Sequence, residues 1–223
     1  MSRFVVEFGK DGMPPAEEGR LDAPAFHRNH EAIWAALAPF LAAKTGEVLE
    51  LGSGTGQHAV TFAARTPKLT WHPSDLQGSH LASIAAWRAF AGLANVAPPQ
   101  CIDLSRPDWT WTPGGPLTAM LCINVLHISP WAVSENLIAG AARHLAAGGR
   151  LFVYGPFMRD GAHTAPSNAE FDMSLRTRNA EWGVRDTRDL SALAGARGLA
   201  LADMLPMPVN NFVLAFTRRP KPG

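Results

Sequence analysis

Residues 50 to 56 combine an acid with three glycines at a spacing suited to holding a ligand. Glu50 lies near the end of an apolar run, and Gly52, Gly54 and Gly56 alternate through the stretch ELGSGTG. Glycines so placed let a backbone turn sharply and approach a ligand closely. The pattern G-x-G-x-G falls one residue short of the dinucleotide fingerprint G-x-G-x-x-G, and no Lys-Ser/Thr pair follows it as in a phosphate loop. A carboxylate at Glu50 would repel a pyrophosphate and welcome an ammonium group. Asp75 stands just past the next apolar run, where an acid can accept hydrogen bonds from both hydroxyls of a ribose. A nucleoside carrying an amino-acid tail meets both demands.

Further polar groups collect after two later apolar runs. Asn124 and His127 lie at and just beyond the end of Leu117 to Asn124, while Tyr154, Arg159, Asp160, His163 and Asn168 crowd the polar stretch that follows Arg150 to Tyr154. These residue types can position and deprotonate a small acceptor, with His127 and His163 as the candidate bases. Arg28 and Asn29, in HRNH, sit where the first helix is expected to open. Each has a structural alternative. Asp75 could cap the next helix, Asp103 could stabilise a turn, His127 could be a wedged core histidine, and Arg28 and Asn29 could lie on the surface.

The elements that must hold these groups alternate between short apolar runs and segments of helical period, the pattern of a mainly parallel sheet with helices on both faces. Helices are expected over 29 to 43, with Pro39 bending or interrupting it, from Gln57 to Ala64, and after Asp75 as far as Gly92. Strands are expected at Glu47 to Leu51, Leu69 to His72, Gln100 to Ile102, Leu117 to Asn124 and Arg150 to Tyr154. Ser129-Pro130 reads as the start of a helix ending near Gly148-Gly149, and Ser167-x-x-Glu170 as a capping box. GPFMRDGAHTAP between them reads as a polar loop able to close over the site. A helix from Asp186 to Arg197 and two strands, Leu199 to Leu205 and Phe212 to Thr217, complete the chain as an antiparallel hairpin.

At 223 residues the chain suits one large domain, here 29–223, preceded by an N-terminal extension, 1–28, expected to fold over the site. A net charge of +1 gives no electrostatic footprint for nucleic acid. The sequence holds no apolar stretch of membrane-spanning length, and its first residues lack an extended apolar segment with a cleavage site, so a cytoplasmic location is expected. Cys101 and Cys122 fall in apolar runs and read as buried reduced thiols, whereas Trp34, Trp87 and Trp131 fall at helical spacing and read as core. The eight histidines form no HxH or HExxH pair, so no metal site is expected.

ELGSGTG and the final hairpin resemble the class I S-adenosylmethionine-dependent methyltransferases. SGTGQHAV, WHPSD, INVLHISPW and YGPFMRDGAHTAPSN resemble, more narrowly, a methyltransferase-like family of unassigned substrate, DUF938. The resemblance spans about residues 30 to 218 and implies a doubly wound α/β fold with a seven-stranded sheet. It assigns Glu50, Gly52, Ser53, Gly54 and Gly56 to the methionine end of S-adenosylmethionine, Asp75 to the ribose, Asp103 to the adenine and Asn124 to the same crevice. It also implies that Arg28 and Asn29 fold over donor or acceptor. The expected activity is methyl transfer to an O, N or S atom of a small molecule. An idle donor-binding protein and an NAD-dependent reductase are the alternatives.

Overall fold

The computed structural model describes residues 18–220. Nine strands form one sheet: β1 (Gly46–Leu51), β2 (Leu69–Asp75), β3 (Gln100–Cys101), β4 (Leu117–Ile123), β5 (Leu145–Arg159), β6 (Ala162–His163), β7 (Arg185–Asp186), β8 (Leu199–Met207) and β9 (Asn211–Arg218). Seven of them run across it in the order β3-β2-β1-β4-β5-β9-β8, and β6 and β7 pair only with the far end of β5. β1 through β5 pair in parallel, whereas β9 lies antiparallel to both β5 and β8. The chain order reverses between β1 and β4, so the crevice expected to take a ligand opens at the carboxyl ends of those two strands.

Six helices cover the sheet: α1 (Pro24–Leu41), α2 (Gln57–Arg65), α3 (Gly78–Ala91), α4 (Trp131–His144), α5 (Pro166–Arg178) and α6 (Thr187–Gly195). Alternation along each strand sends side chains to two cores. Val48 of β1 joins Ile33 and Leu37 of α1 and Phe62 of α2 on one face. Leu49 and Leu51 join Leu137 and Ile138 of α4 and Leu190 of α6 on the other. β1 and β4 therefore read as nearly unbroken apolar runs, as strands buried on both faces do.

Several local expectations are corrected. α1 begins at Pro24, with proline in its first turn, and runs through Pro39 to end two residues later. β2 continues three residues past His72 to Asp75, which is its last residue rather than a residue beyond it. α4 stops at His144, and the Gly148-Gly149 pair lies inside β5 opposite a register irregularity in β4. Ser129 does not cap α4, since its hydroxyl donates back to the carbonyls of Val125 and Leu126. Ser167 and Glu170 form no capping box, because α5 opens at Pro166 with Ala165 before it. Cys101 is exposed because β3 is a two-residue edge strand, whereas Cys122, in the central β4, is buried. Trp34, Trp87 and Trp131 pack partly buried against the two cores.

The largest difference concerns GPFMRDGAHTAP. Its first half extends β5 to Arg159, Asp160 and Gly161 turn with positive φ of 52° and 81°, and β6 returns antiparallel. Asp-Gly with left-handed backbone at both residues is the signal of a tight hairpin, and it outweighs the polarity that suggested a loop. Asp186 anchors this hairpin from below. One carboxylate oxygen accepts from the Gly161 N–H at 2.6 Å, and the other caps α6 through the Arg188 N–H at 2.7 Å.

Most of the expected N-terminal extension, residues 1–17, lies outside the described residues. Its described end is strapped across the start of α2 and the middle of α3. The Ala23 N–H donates to Gln57 Oε1 (2.9 Å), Gln57 Nε2 donates to Asp22 (2.7 Å), and the Trp87 indole N–H donates to the Leu21 carbonyl (2.8 Å). Among the described residues no helix is long and apolar enough to cross a membrane.

Asp186 serves a helix end and a hairpin at once, so Asp186→Ala is expected to lower stability by about 2 kcal/mol in urea denaturation. An unchanged midpoint would show that neither contact matters to the fold.

Candidate functional site

β1 delivers the chain into the glycine loop, where Gly52, Gly54 and Gly56 take φ values of 68°, 56° and 90°. This left-handed backbone favours glycine, and two of the positions are also crowded. A Cβ on Gly52 would stand 2.6 Å from a Val125 methyl, and one on Gly56 would stand 2.9 Å from the Ile84 backbone of α3. Gly56 thus fits α2 against α3, while Gly52 and Gly54 line a cavity of about 130 Å³ that opens to solvent. Ser53 is not in the lining of this cavity and ties the loop to β2: its N–H donates to the Ser74 carbonyl, and its Oγ accepts from the Ser74 N–H (3.1 Å).

The loop is held to Asp75, at the end of β2. Its carboxylate accepts from the Gly54 N–H (2.9 Å), the Gln77 N–H (3.0 Å) and His80 Nδ1 (3.0 Å), and Asp75 lines the same cavity. The side chain is 8% exposed. Burial alone would raise its pKa, yet the His80 and backbone hydrogen bonds outweigh that and hold it below the ordinary carboxylate range. The cap-like bond to Gln77 and the cavity position coexist, so the two sequence readings of Asp75 are not exclusive. Asp103 likewise lines the far end of the cavity while its Oδ1 accepts from the Ser105 N–H in a local turn. Apolar walls from Leu76, Ile102, Leu104 and Val133 enclose that end, giving a slot suited to a flat ring.

Glu50 lies beneath the loop, 1% exposed, and its Oε2 is buried with no hydrogen-bond partner among the described residues. Burial pushes its carboxyl up to about 7, against the Ser53 hydrogen bond that lowers it, and the charge of Asp75 adds to the rise. Two acids crowded under one loop create a demand for a cation.

Asn124 directly follows β4 in left-handed backbone (φ 58°), its N–H donating to the Tyr154 carbonyl (2.9 Å). With Ile128 it lines both the first cavity and a second of about 460 Å³, so the two spaces adjoin there. Arg28, Asn29, His127, Tyr154 and Asn168 all line the second cavity. His127 rides on a short 3-10 turn (Leu126–Ile128) that Arg185 fixes by donating to the carbonyls of Leu126, Ser129 and Glu181. Burial drives the His127 imidazole down to about 4, and the charge of Arg185 adds to this. Burial raises the Tyr154 phenol above its ordinary value.

Arg159 and His163 line neither cavity. The hairpin carries Arg159 to its exposed tip and turns His163 toward Asp172 of α5, 3.6 Å away. They shared a polar stretch with Tyr154 and Asn168 in the sequence, but the Asp160-Gly161 turn sends them elsewhere. Arg185 and His80 were missed. Arg185 acts from a strand far along the chain with no spacing to mark it, and His80, five residues after Asp75, could be seen only once the start of α3 was known. Among the described residues no group of His, Cys, Asp and Glu side chains could hold a metal ion.

The strand order, the antiparallel end of the sheet and the glycine loop facing a two-part crevice define a Rossmann-like methyltransferase fold. An O-methyltransferase family protein from Burkholderia thailandensis superposes with a TM-score of 0.70 at 18% identity, over 86% of this chain and 59% of that one. An O-methyltransferase of neocarzinostatin biosynthesis, in complex with S-adenosylmethionine and 2-hydroxy-5-methyl naphthoic acid, gives 0.65 at 20% identity over 87% and 54%. An O-methyltransferase family 2 protein from Planctomyces limnophilus, in complex with apigenin, gives 0.65 at 19% over 77% and 49%. The chain spans less than two thirds of the length of each. It belongs to the family described as Protein of unknown function (DUF938), whose model matches residues 20–218.

Glu50 supplies the prediction here. Its folded pKa lies above its unfolded value, so the fold favours the protonated form, and stability falls as pH rises from about 4.5 through about 7. Glu50→Gln should therefore stabilise the ligand-free protein at pH 8, by up to about 3 kcal/mol, with the gain vanishing near pH 4. Thermal melts of both proteins at the two pH values check this. An equal effect at both would show that the carboxyl ionises freely in the fold.

Proposed function

We propose that the chain binds S-adenosylmethionine in the first cavity and directs its methyl group to a small molecule in the second. The observation that carries this reading is the meeting of the two cavities at Asn124 and Ile128, beyond the end of β4. The residues of the first cavity fit the donor along its length. The apolar slot takes the adenine with Asp103 at its edge, and Asp75 takes the ribose. A carboxylate has about four acceptor sites and Asp75 has filled three, so it keeps roughly one for a ribose hydroxyl rather than serving both. Gly52 and Gly54 allow close approach of the amino-acid tail, and the crowded pair Glu50 and Asp75 favours its ammonium and sulfonium charges.

The donor, when bound, supplies an activated methyl group on a positively charged sulfur. The protein's contribution is then chiefly positioning and exclusion of water. Asn124, fixed through its backbone to β5, stands where donor and acceptor meet. His127 is neutral at physiological pH and accepts a hydrogen bond from an acceptor hydroxyl or amine. With its pKa near 4 it takes a proton only from a group that is already acidic or becomes so as the methyl arrives. Arg28, Asn29, Tyr154 and Asn168 surround the acceptor. Arg159 and His163 have no part in this arrangement.

Asp75→Ala is expected to weaken S-adenosylhomocysteine binding by about ten- to a hundredfold, on the order of 1.5–3 kcal/mol, through loss of a charge-assisted ribose bond and release of the Gly54 N–H. Gly54→Val should abolish it, because a branched side chain would fill the cavity floor. Calorimetric titration measures both, with circular dichroism as the folding check. Parent-like affinity in either folded variant would remove that residue from the donor site, and stronger binding of NAD than of S-adenosylhomocysteine would replace the donor altogether.

A further inference from the structure

The second cavity has a polarity that the fold fixes, and this polarity selects the kind of molecule it can hold. Among the described residues Arg28 is the charged residue lining it and no acid does, while His127 is neutral. The Arg28 guanidinium lies exposed on the α1 side of the rim and makes no ion pair with any described residue. A cation without an ion-pair partner among the described residues, at the mouth of a partly apolar cavity, attracts an anion, and a planar guanidinium suits a carboxylate above other anions of that size.

Two buried amides refine the pattern, because each is tied so that one end alone faces the cavity. Asn29, next to Arg28 and 6% exposed, has its Oδ1 engaged by His58 Nε2 at 2.9 Å. Its NH₂ group is the end left to donate: one hydrogen goes to the Tyr154 phenol, which leaves one beside the guanidinium. Asn168, on α5 and also 6% exposed, gives its NH₂ group to Thr164 Oγ1 (3.1 Å) and to the Asn210 carbonyl (3.0 Å). Both of its protons are committed, so its carbonyl oxygen is what it offers. The α1 side therefore seeks an acceptor of hydrogen bonds and the α5 side seeks a donor. Between them, Phe171, Ile128 and Pro156 supply apolar surface, with the Phe171 ring edge-on to His127 at 5.5 Å.

We propose that the second cavity takes a small cyclic or aromatic carboxylic acid that also carries a hydroxyl or amino group, the carboxylate meeting Arg28 and Asn29 and the hydroxyl or amino hydrogen meeting Asn168. This rests on the second cavity being the acceptor site of the proposed methyl transfer. A neutral aromatic compound would leave the guanidinium unanswered, and an acid without a second polar group would leave the Asn168 carbonyl facing apolar surface.

The test uses the full chain saturated with S-adenosylhomocysteine and three probes: 4-hydroxybenzoate, benzoate and 4-hydroxybenzamide, each titrated by calorimetry or ligand-observed NMR. 4-Hydroxybenzoate should bind tightest, with about tenfold losses for benzoate, which lacks the hydroxyl, and for the amide, which lacks the charge. Arg28→Met, an exposed substitution with little demand on the fold, should erase the preference for acid over amide while leaving S-adenosylhomocysteine affinity within about twofold of the parent. Equal binding of acid and amide, or no binding of any probe, would overturn the assignment of the cavity. A large loss of S-adenosylhomocysteine affinity in Arg28→Met would overturn it differently, by giving Arg28 to the donor's own carboxylate. Failure of the parent to bind S-adenosylhomocysteine would instead defeat the methyl-transfer reading on which this one stands.

Discussion

The Asp75 carboxylate accepts hydrogen bonds from three parts of the chain: the glycine loop through Gly54, the start of α3 through Gln77, and the first turn of that helix through His80. A buried carboxylate is costly unless its oxygens are satisfied, and here the satisfying groups are the ones that must be positioned. The loop cannot rise from the sheet without leaving Asp75 short of a donor, and α3 cannot slide without the same consequence. Asp75 therefore fixes the cavity floor and one wall, while its remaining acceptor capacity faces the ligand space.

Glu50 shows the opposite strategy. Its Oε2 is buried without a partner, and its carboxyl is pushed to about 7 by burial. The fold bears this cost, and in the proposed reading the positive charge of a donor bound above the loop offsets it. The two acids thus differ: Asp75 is satisfied by the protein and shapes the cavity, whereas Glu50 keeps an unsatisfied oxygen beneath the loop, outside the lining of both cavities. The glycines divide in the same way. Gly52 and Gly54 line the first cavity, and Gly56 makes room for the close packing of α2 on α3.

Much of this was legible in the sequence because it is local or periodic. The apolar runs of β1 and β4, the glycine loop, the acids at the ends of β1 and β2 and the final hairpin follow from spacing along the chain. What was hidden depends on competition between local signals or on contacts distant in sequence. Asp160-Gly161 closes a hairpin that removes Arg159 and His163 from the cavity, although the surrounding polarity resembled that of a functional loop. Ser129 and Ser167 have the identity of cap residues, yet one bonds backward into the preceding turn and the other lies within a helix opened by Pro166. Arg185 reaches back across more than fifty residues to hold the turn bearing His127, and no pattern along the chain announces it.

The most direct measurement is a crystal structure of the chain with S-adenosylhomocysteine. The adenine should lie between Leu76, Ile102, Leu104 and Val133, a ribose hydroxyl on Asp75, the amino-acid tail over Gly52 and Gly54 with its ammonium toward Glu50, and the sulfur at Asn124 facing the second cavity. A ligand bound in the reverse direction, seated in the second cavity, or failing to bind at all would contradict the assignment of the two spaces as donor and acceptor sites.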